Sequence, residues 1–224
     1  MIMEKLEIAC FNPESALIAQ QGGADRVELC DNIKEGGTTP DFEITRQVRE
    51  QVSIPLYVMI RPRGGSFVYS EEEFQQMKKE IQQFKTLGVN GFVFGILNHD
   101  RTINTKQNSE LVAMAKPLPC TFHRAFDAVT DVLLSLEDVI QCGFSTILTS
   151  GTMPNVVEGI TVLQQLVEKA NNRITIMPGG GLRSGNIKLL QQQTNAGFYH
   201  SSAITDGSET ANIDEVKMLK SNLL

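Results

Sequence analysis

A closed (β/α)8 barrel is the α/β fold class this sequence predicts, and three observations predict it. Short β-rich runs alternate with amphipathic segments eight times along the 224 residues. Several of those runs are nearly continuous in apolar residues, as parallel strands covered on both faces must be. No linker, low-complexity tract or shift in composition interrupts the alternation, so a single domain over 1–224 is expected, somewhat shorter than the ~250 residues typical of such barrels. The alternative, an open doubly wound sheet, would carry a glycine-rich fingerprint after its first strand, and "CFNPESA" (10–16) carries none.

The elements follow in order. "LEIACF" (6–11) reads as the first strand, and because side chains alternate along a strand, Glu7 points inward when Leu6 and Ile8 face the helices. A helix over 13–22 ends at Gly22. "DRVEL" (25–29) is the second strand, with Arg26, Glu28 and Cys30 on one face, and a helix over 41–52 returns to the third, "PLYVMI" (55–60). The third helix, 71–87, has the clearest punctuation: Ser70 as N-cap, Glu73 at the capping-box position and Gly88 as the terminating glycine. Within it Phe74, Met77, Ile81, Phe84 and Leu87 fall at three- and four-residue steps and draw one apolar stripe toward the core. "GFVFGI" (91–96), "PCTFHR" (119–124), "FSTILT" (144–149), "RITIMP" (173–178) and "GFYHSS" (197–202) supply the remaining strands. Helices are expected between and after them over 105–116, 130–142, 155–171, 184–195 and 209–221, with Gly143 and Gly197 marking two exits.

Composition limits the function. Acids and bases are interspersed and the formal net charge is -6, which excludes the basic footprint of a nucleic-acid or anionic-membrane binder. No window approaches the ~20 apolar residues that span a bilayer, and the N-terminus lacks the pattern of a secretory signal. A cytoplasmic protein with small partners, self-associating as a homo-oligomer, is expected. The four cysteines, Cys10, Cys30, Cys120 and Cys142, have no zinc-type spacing.

Barrel active sites collect at the C-terminal ends of the strands, and polar residues collect there in this sequence. Glu7, Glu28, Arg61 and His123 form the candidate catalytic set. His123 is the acid or base nearest neutrality, with Glu7 or Glu28 to orient it, and Glu7, Glu28 and Arg61 are expected to satisfy one another across the mouth. Arg63, on the glycine turn of "MIRPRGG" (59–65), is then free to hold an anion. Gly179, Gly180 and Gly181, leading into a helix after strand seven, and Ser201 and Ser202 after strand eight, complete a candidate phosphate site. The competing reading of the carboxylates and arginines is an ion-pair network that fixes strand register and does no chemistry.

The stretches "GGADRVELCDNIKEGGTTP" (22–40), "MIRPRGGSFVYS" (59–70), "TFHRAFD" (121–127), "ILTSG" (147–151), "MPGGGLRSGNI" (177–187) and "HSSA" (200–203) together resemble the CutC family. The resemblance runs from the first strand to the eighth. It implies a TIM-type barrel, residence in the cytoplasm, a role in copper homeostasis, and Cu(I) held by Cys10 and Cys30. Soft thiolates do select Cu(I), yet strand parity sets Cys10 outward and Cys30 inward unless the backbone departs from regular geometry there. Many members carry a long insertion after "HSSA" where this chain has only "ITDGSETANIDE" (204–215), so a more open mouth is expected on that side. The second reading is a barrel enzyme acting on a small anionic metabolite, phosphorylated metabolites included.

Overall fold

The computed structural model describes residues 4–223. Eight strands, β1 (Lys5–Cys10), β2 (Arg26–Leu29), β3 (Leu56–Met59), β4 (Gly91–Phe94), β5 (Cys120–Phe122), β6 (Thr146–Thr149), β7 (Thr175–Pro178) and β8 (Phe198–Ser201), alternate with eight helices. These are α1 (Pro13–Gln21), α2 (Phe42–Gln51), α3 (Glu71–Lys85), α4 (Thr105–Ala115), α5 (Val132–Cys142), α6 (Ile160–Ala170), α7 (Ile187–Thr194) and α8 (Ile213–Ser221). The strands pair in parallel in the order β7-β6-β5-β4-β3-β2-β1-β8. A single parallel bridge, Gly179 with His200, joins the two ends of the sheet and closes the barrel at its C-terminal rim.

Gly179 is glycine because that seam leaves no room: a Cβ there would lie 2.4 Å from Leu148 Cδ1. Outward side chains such as Leu6, Ile8, Val27, Val58, Phe92 and Phe122 pack with the inner faces of the helices in one continuous core. Fully burying each such side chain contributes roughly 1.5–3 kcal/mol. Cys30, Tyr57, Met59 and Val93 form a separate, smaller cluster inside the barrel.

The Ser70 and Glu73 capping box forms, and Phe74, Met77, Ile81 and Phe84 of α3 are buried on the predicted face. Three helices begin later than the sequence pattern predicts, each because an asparagine ties up the preceding turn. Asn155 Oδ1 accepts from the N–H groups of Val157 and Glu158, so α6 starts at Ile160. Asn186 Oδ1 accepts from Arg183 N–H ahead of α7, and Asn212 caps α8. Nor is Gly197 a helix exit: Asn195 takes the left-handed position, φ 53°. Gly22 ends α1 with an ordinary φ of -77°, and its need for glycine is steric, since a Cβ would meet Val216 Cγ1 of α8 at 2.4 Å.

Candidate active site at the barrel mouth

Register explains which side chains converge. Glu7 stands beside Arg26 of β2 and beside His200 of β8, because those pairs are Cα partners in the two ladders. The Arg26 guanidinium forms an ion pair with Glu7 Oε2 and lies over the rings of Tyr57 and Phe198, at 3.9 and 4.3 Å from their centroids. His200 Nδ1 is 2.8 Å from Glu7 Oε1, and its Nε2 is 3.9 Å from Glu28 Oε2. Cys30 Sγ donates to that same Glu28 oxygen at 3.4 Å, and Glu28 Oε1 has no partner among the described residues.

Electrostatics divides the roles of the two carboxyls. Burial would raise the pKa of Glu7, but the charge of Arg26, followed by the hydrogen bond and charge of His200, overrides it and holds the group at about 2. Glu28 is raised, by burial first and then by the neighbouring Glu7 charge, with His200 opposing. The pKa of His200 is pulled down by burial and pushed up more strongly by the Glu7 hydrogen bond and the two carboxylate charges, so it ends raised. Glu7 is thus held as an anion, whereas burial and the Glu7 charge disfavour the charged form of Glu28.

The expected triangle of Glu7, Glu28 and Arg61 does not form, because backbone carbonyls compete for the guanidinium. Arg61 donates to the carbonyls of Glu35, Gly37 and Gly65, at 2.6, 2.8 and 3.1 Å, while Arg26 takes Glu7. Nor do the carboxylates orient His123. Its Nδ1 accepts from Ala125 N–H at 3.3 Å, which places the ring proton on Nε2, and Nε2 is buried without a partner. Burial first, and then the charge of Arg61, push its pKa down to about 3, so the ring is neutral. Arg63 is not free either: Glu73 takes it at 2.5 Å, and the carbonyls of Gly64, Ser66 and Val68 take its other donors. It lies outside the pocket because Glu73, held in the capping box of α3, draws it to the rim.

The mouth encloses a pocket of about 250 Å³ walled by Glu28, Cys30, Arg61, Phe67 and His123 on one side and by Gly180, Gly181, Arg183, His200, Ser201 and Ser202 on the other. Larger hollows exist, such as one of about 400 Å³ at the opposite end of the barrel beside Lys5 and Phe198. Of the buried charged and imidazole side chains, Glu28, Arg61, His123 and His200 line the mouth pocket. Gly180 and Gly181 have φ of 112° and 74°, a conformation that favours glycine. Gly179 contributes to the seam and does not line the pocket.

Arg183 carries no residue-level expectation from the sequence, yet it organises this wall. Its guanidinium donates to Leu182 O, Ile204 O, Ser201 Oγ and Ser202 Oγ, at 2.7, 2.9, 3.2 and 3.4 Å. The available signal was a basic residue two positions beyond the glycine triplet in "GGGLRS". Neither Arg61 nor Arg183 has a carboxylate partner among the described residues, unlike Arg124, which pairs with Asp127 at 2.7 Å.

The thiols are not brought together on one face. Cys10 belongs to the core between barrel and helices and donates to Ile8 O at 3.4 Å, whereas Cys30 belongs to the interior cluster. Burial first, and then the Glu28 charge, raise both well above the ordinary thiol value. Glu7, Glu28 and His200 each present a ligand atom within 4.8 Å of the others. Glu7 is paired with Arg26 and bonded to His200 Nδ1, whereas Glu28 Oε1 has no partner among the described residues.

These features define a (β/α)8 barrel whose C-terminal mouth holds an acid–base cluster facing uncompensated guanidinium groups. The chain belongs to the CutC family, whose model matches residues 4–205. It is 43% identical to the copper homeostasis protein cutC homolog of Homo sapiens, over 88% of this chain and 72% of that protein. A CutC family protein of Proteus mirabilis is 44% identical over 94% of this chain and 83% of its own. A crystal structure of CutC from Streptococcus agalactiae superposes with a TM-score of 0.86 at 35% identity, covering 91% of this chain and all of that one (100%). Among the described residues, no helix is long and apolar enough to cross a membrane.

Proposed function

We propose that this protein is an enzyme that binds a small anionic metabolite in the barrel mouth and moves a proton on it. One observation carries the reading: Glu28 Oε1 and His123 Nε2, both buried and both unpartnered, border a single pocket that also contains Arg61 and Arg183. Buried polar atoms are normally satisfied, so an acceptor and a donor left open in a basic pocket call for a ligand. Glu28 is the proton acceptor, held beside His200, which Glu7 and Arg26 fix in place. His123 donates a hydrogen bond through Nε2–H; burial first, and then the charge of Arg61, keep it neutral, and Arg61 also shapes the loop from Glu35 to Gly37. Arg183, Gly180, Gly181 and Ser202 hold the anion, the Ser201 hydroxyl being committed to Leu182 O.

The test is carbon–hydrogen exchange in D2O, followed by NMR, on a mixture of sugar phosphates and 2-hydroxy acids. Exchange above background that disappears in Glu28→Gln, with anion binding retained, is the predicted result. Exchange absent from the wild type, or unchanged in Glu28→Gln, overturns the proton-transfer role.

The names of the curated relatives give copper homeostasis, and the second reading built on that role is Cu(I) binding in the cytoplasm. The local feature that favours it is Cys30, the one cysteine bordering the pocket, close to the carboxylate of Glu28. Anaerobic Cu(I) titration against a chelator, beside the Cys10→Ser, Cys30→Ser double variant, tests it. Tight binding lost in the variant supports copper, and binding indifferent to both serines contradicts it.

A further inference from the structure

We infer that the ligand class of this pocket is a phosphate monoester of a short α-hydroxy carbonyl compound, its phosphate held at the Arg183 wall and its carbonyl oxygen at His123 Nε2–H. The inference rests on the reading that the mouth binds a small anion, and it names that anion from the donors on the two walls.

At the Arg183 wall the donors come from different directions. The guanidinium is anchored by two carbonyls and reaches the hydroxyls of Ser201 and Ser202. The N–H groups of Gly180 and Gly181 make no hydrogen bond among the described residues. A planar carboxylate is best met by a flat, two-pronged donor, whereas donors arranged around a concavity suit a tetrahedral phosphate. A second guanidinium closes the cradle: a Cβ on Gly180 would lie 3.1 Å from Arg124 Cζ, so only glycine lets phosphate and Arg124 approach together.

The opposite wall asks for a neutral acceptor and a neutral donor. Because Nδ1 of His123 already accepts from Ala125, Nε2–H can only donate, and its ring packs against Phe67 with centroids 5.0 Å apart, out of water. A carbonyl oxygen fits such a donor, with Arg61 nearby to favour negative charge developing on it. Glu28 Oε1 lacks a donor, and a hydroxyl beside the carbonyl supplies one. The pocket of about 250 Å³ suits a compound of a few carbons plus phosphate.

The experiment is calorimetric titration of the full chain with three probes: inorganic phosphate, glycerol 3-phosphate, which has hydroxyls but no carbonyl, and phosphoglycolohydroxamate, which has a planar carbonyl and adjacent hydroxyl. A hydrogen bond between neutral groups contributes about two- to tenfold in affinity. The wild type is therefore expected to bind the hydroxamate severalfold more tightly than glycerol 3-phosphate. His123→Phe should abolish that preference while leaving phosphate affinity within about twofold, and His123→Gln, which restores an N–H donor, should recover part of it. Arg183→Met should weaken all three probes about tenfold. Equal affinity for hydroxamate and glycerol 3-phosphate in the wild type, or a preference that survives His123→Phe, overturns the carbonyl assignment while leaving the anion reading intact. Failure of all three probes to bind overturns both.

Discussion

Replacing Arg26 by Met exposes the energetics of the site most sharply, because it removes the guanidinium and leaves Glu7 buried with no access to solvent. In the native chain Glu7 titrates at about 2, against 4.5 for the free side chain. At ~1.4 kcal/mol per pKa unit, that difference corresponds to about 3 kcal/mol of stability linked to the ionised form. The sign follows from the depressed value: the contribution is fully present above pH ~4.5, and it is lost as the pH falls through ~2. Arg26→Met at pH 7 should therefore cost about 3–5 kcal/mol, the range for one partner removed from a buried pair. Urea denaturation followed by circular dichroism measures it. Glu7→Gln in the Arg26→Met background should recover part of the loss, since the uncompensated charge is then gone. Glu7→Gln alone should flatten the stability profile between pH 4.5 and 2. A loss below about 1 kcal/mol in Arg26→Met, the cost of an exposed pair, would refute the account of a desolvated network.

Other consequences can be checked independently. His123 should stay neutral from pH 7 down to pH 4, with its proton on Nε2, in nitrogen-15 NMR spectra of the imidazole; protonation near pH 6.5 would contradict the burial argument. Cys10 and Cys30 should react with a disulfide reagent at pH 8 only after denaturation, and rapid labelling of either in the native protein would show an exposed thiolate that the structure lacks. Gly179→Ala should destabilise by about 1–3 kcal/mol, read by thermal melting, because its Cβ would lie within 2.4 Å of Leu148 at the seam.

The fold was legible because it depends on repetition. Eight strand–helix units, their apolar faces and the cap at Ser70 are each encoded within a dozen residues, and each is present, with only the starts of α6, α7 and α8 displaced. Partners within the site were not legible to the same degree. Arg26 and Arg61 both sit at strand ends and both could have met Glu7. The choice is made by the β1–β2 register and by three backbone carbonyls that only the folded loops bring to Arg61. Arg63 looked available because nothing in "MIRPRGG" shows that the N-terminus of α3 will deliver Glu73 to it. The importance of His200 comes from the pairing of the first strand with the last, across 193 residues, a distance at which local patterns carry no information. Strand parity, by contrast, separated Cys10 from Cys30 correctly, since alternation is itself a local rule.

The central claim is that the mouth is an anion site built on Arg183, and titration of inorganic phosphate into the wild type, Arg183→Met and Arg63→Met, followed by phosphorus NMR, tests it most directly. Saturable binding weakened at least about tenfold in Arg183→Met, the loss of one charge-assisted contact, and unchanged in Arg63→Met is the predicted result. Binding that survives loss of Arg183, or that depends on Arg63, would contradict it.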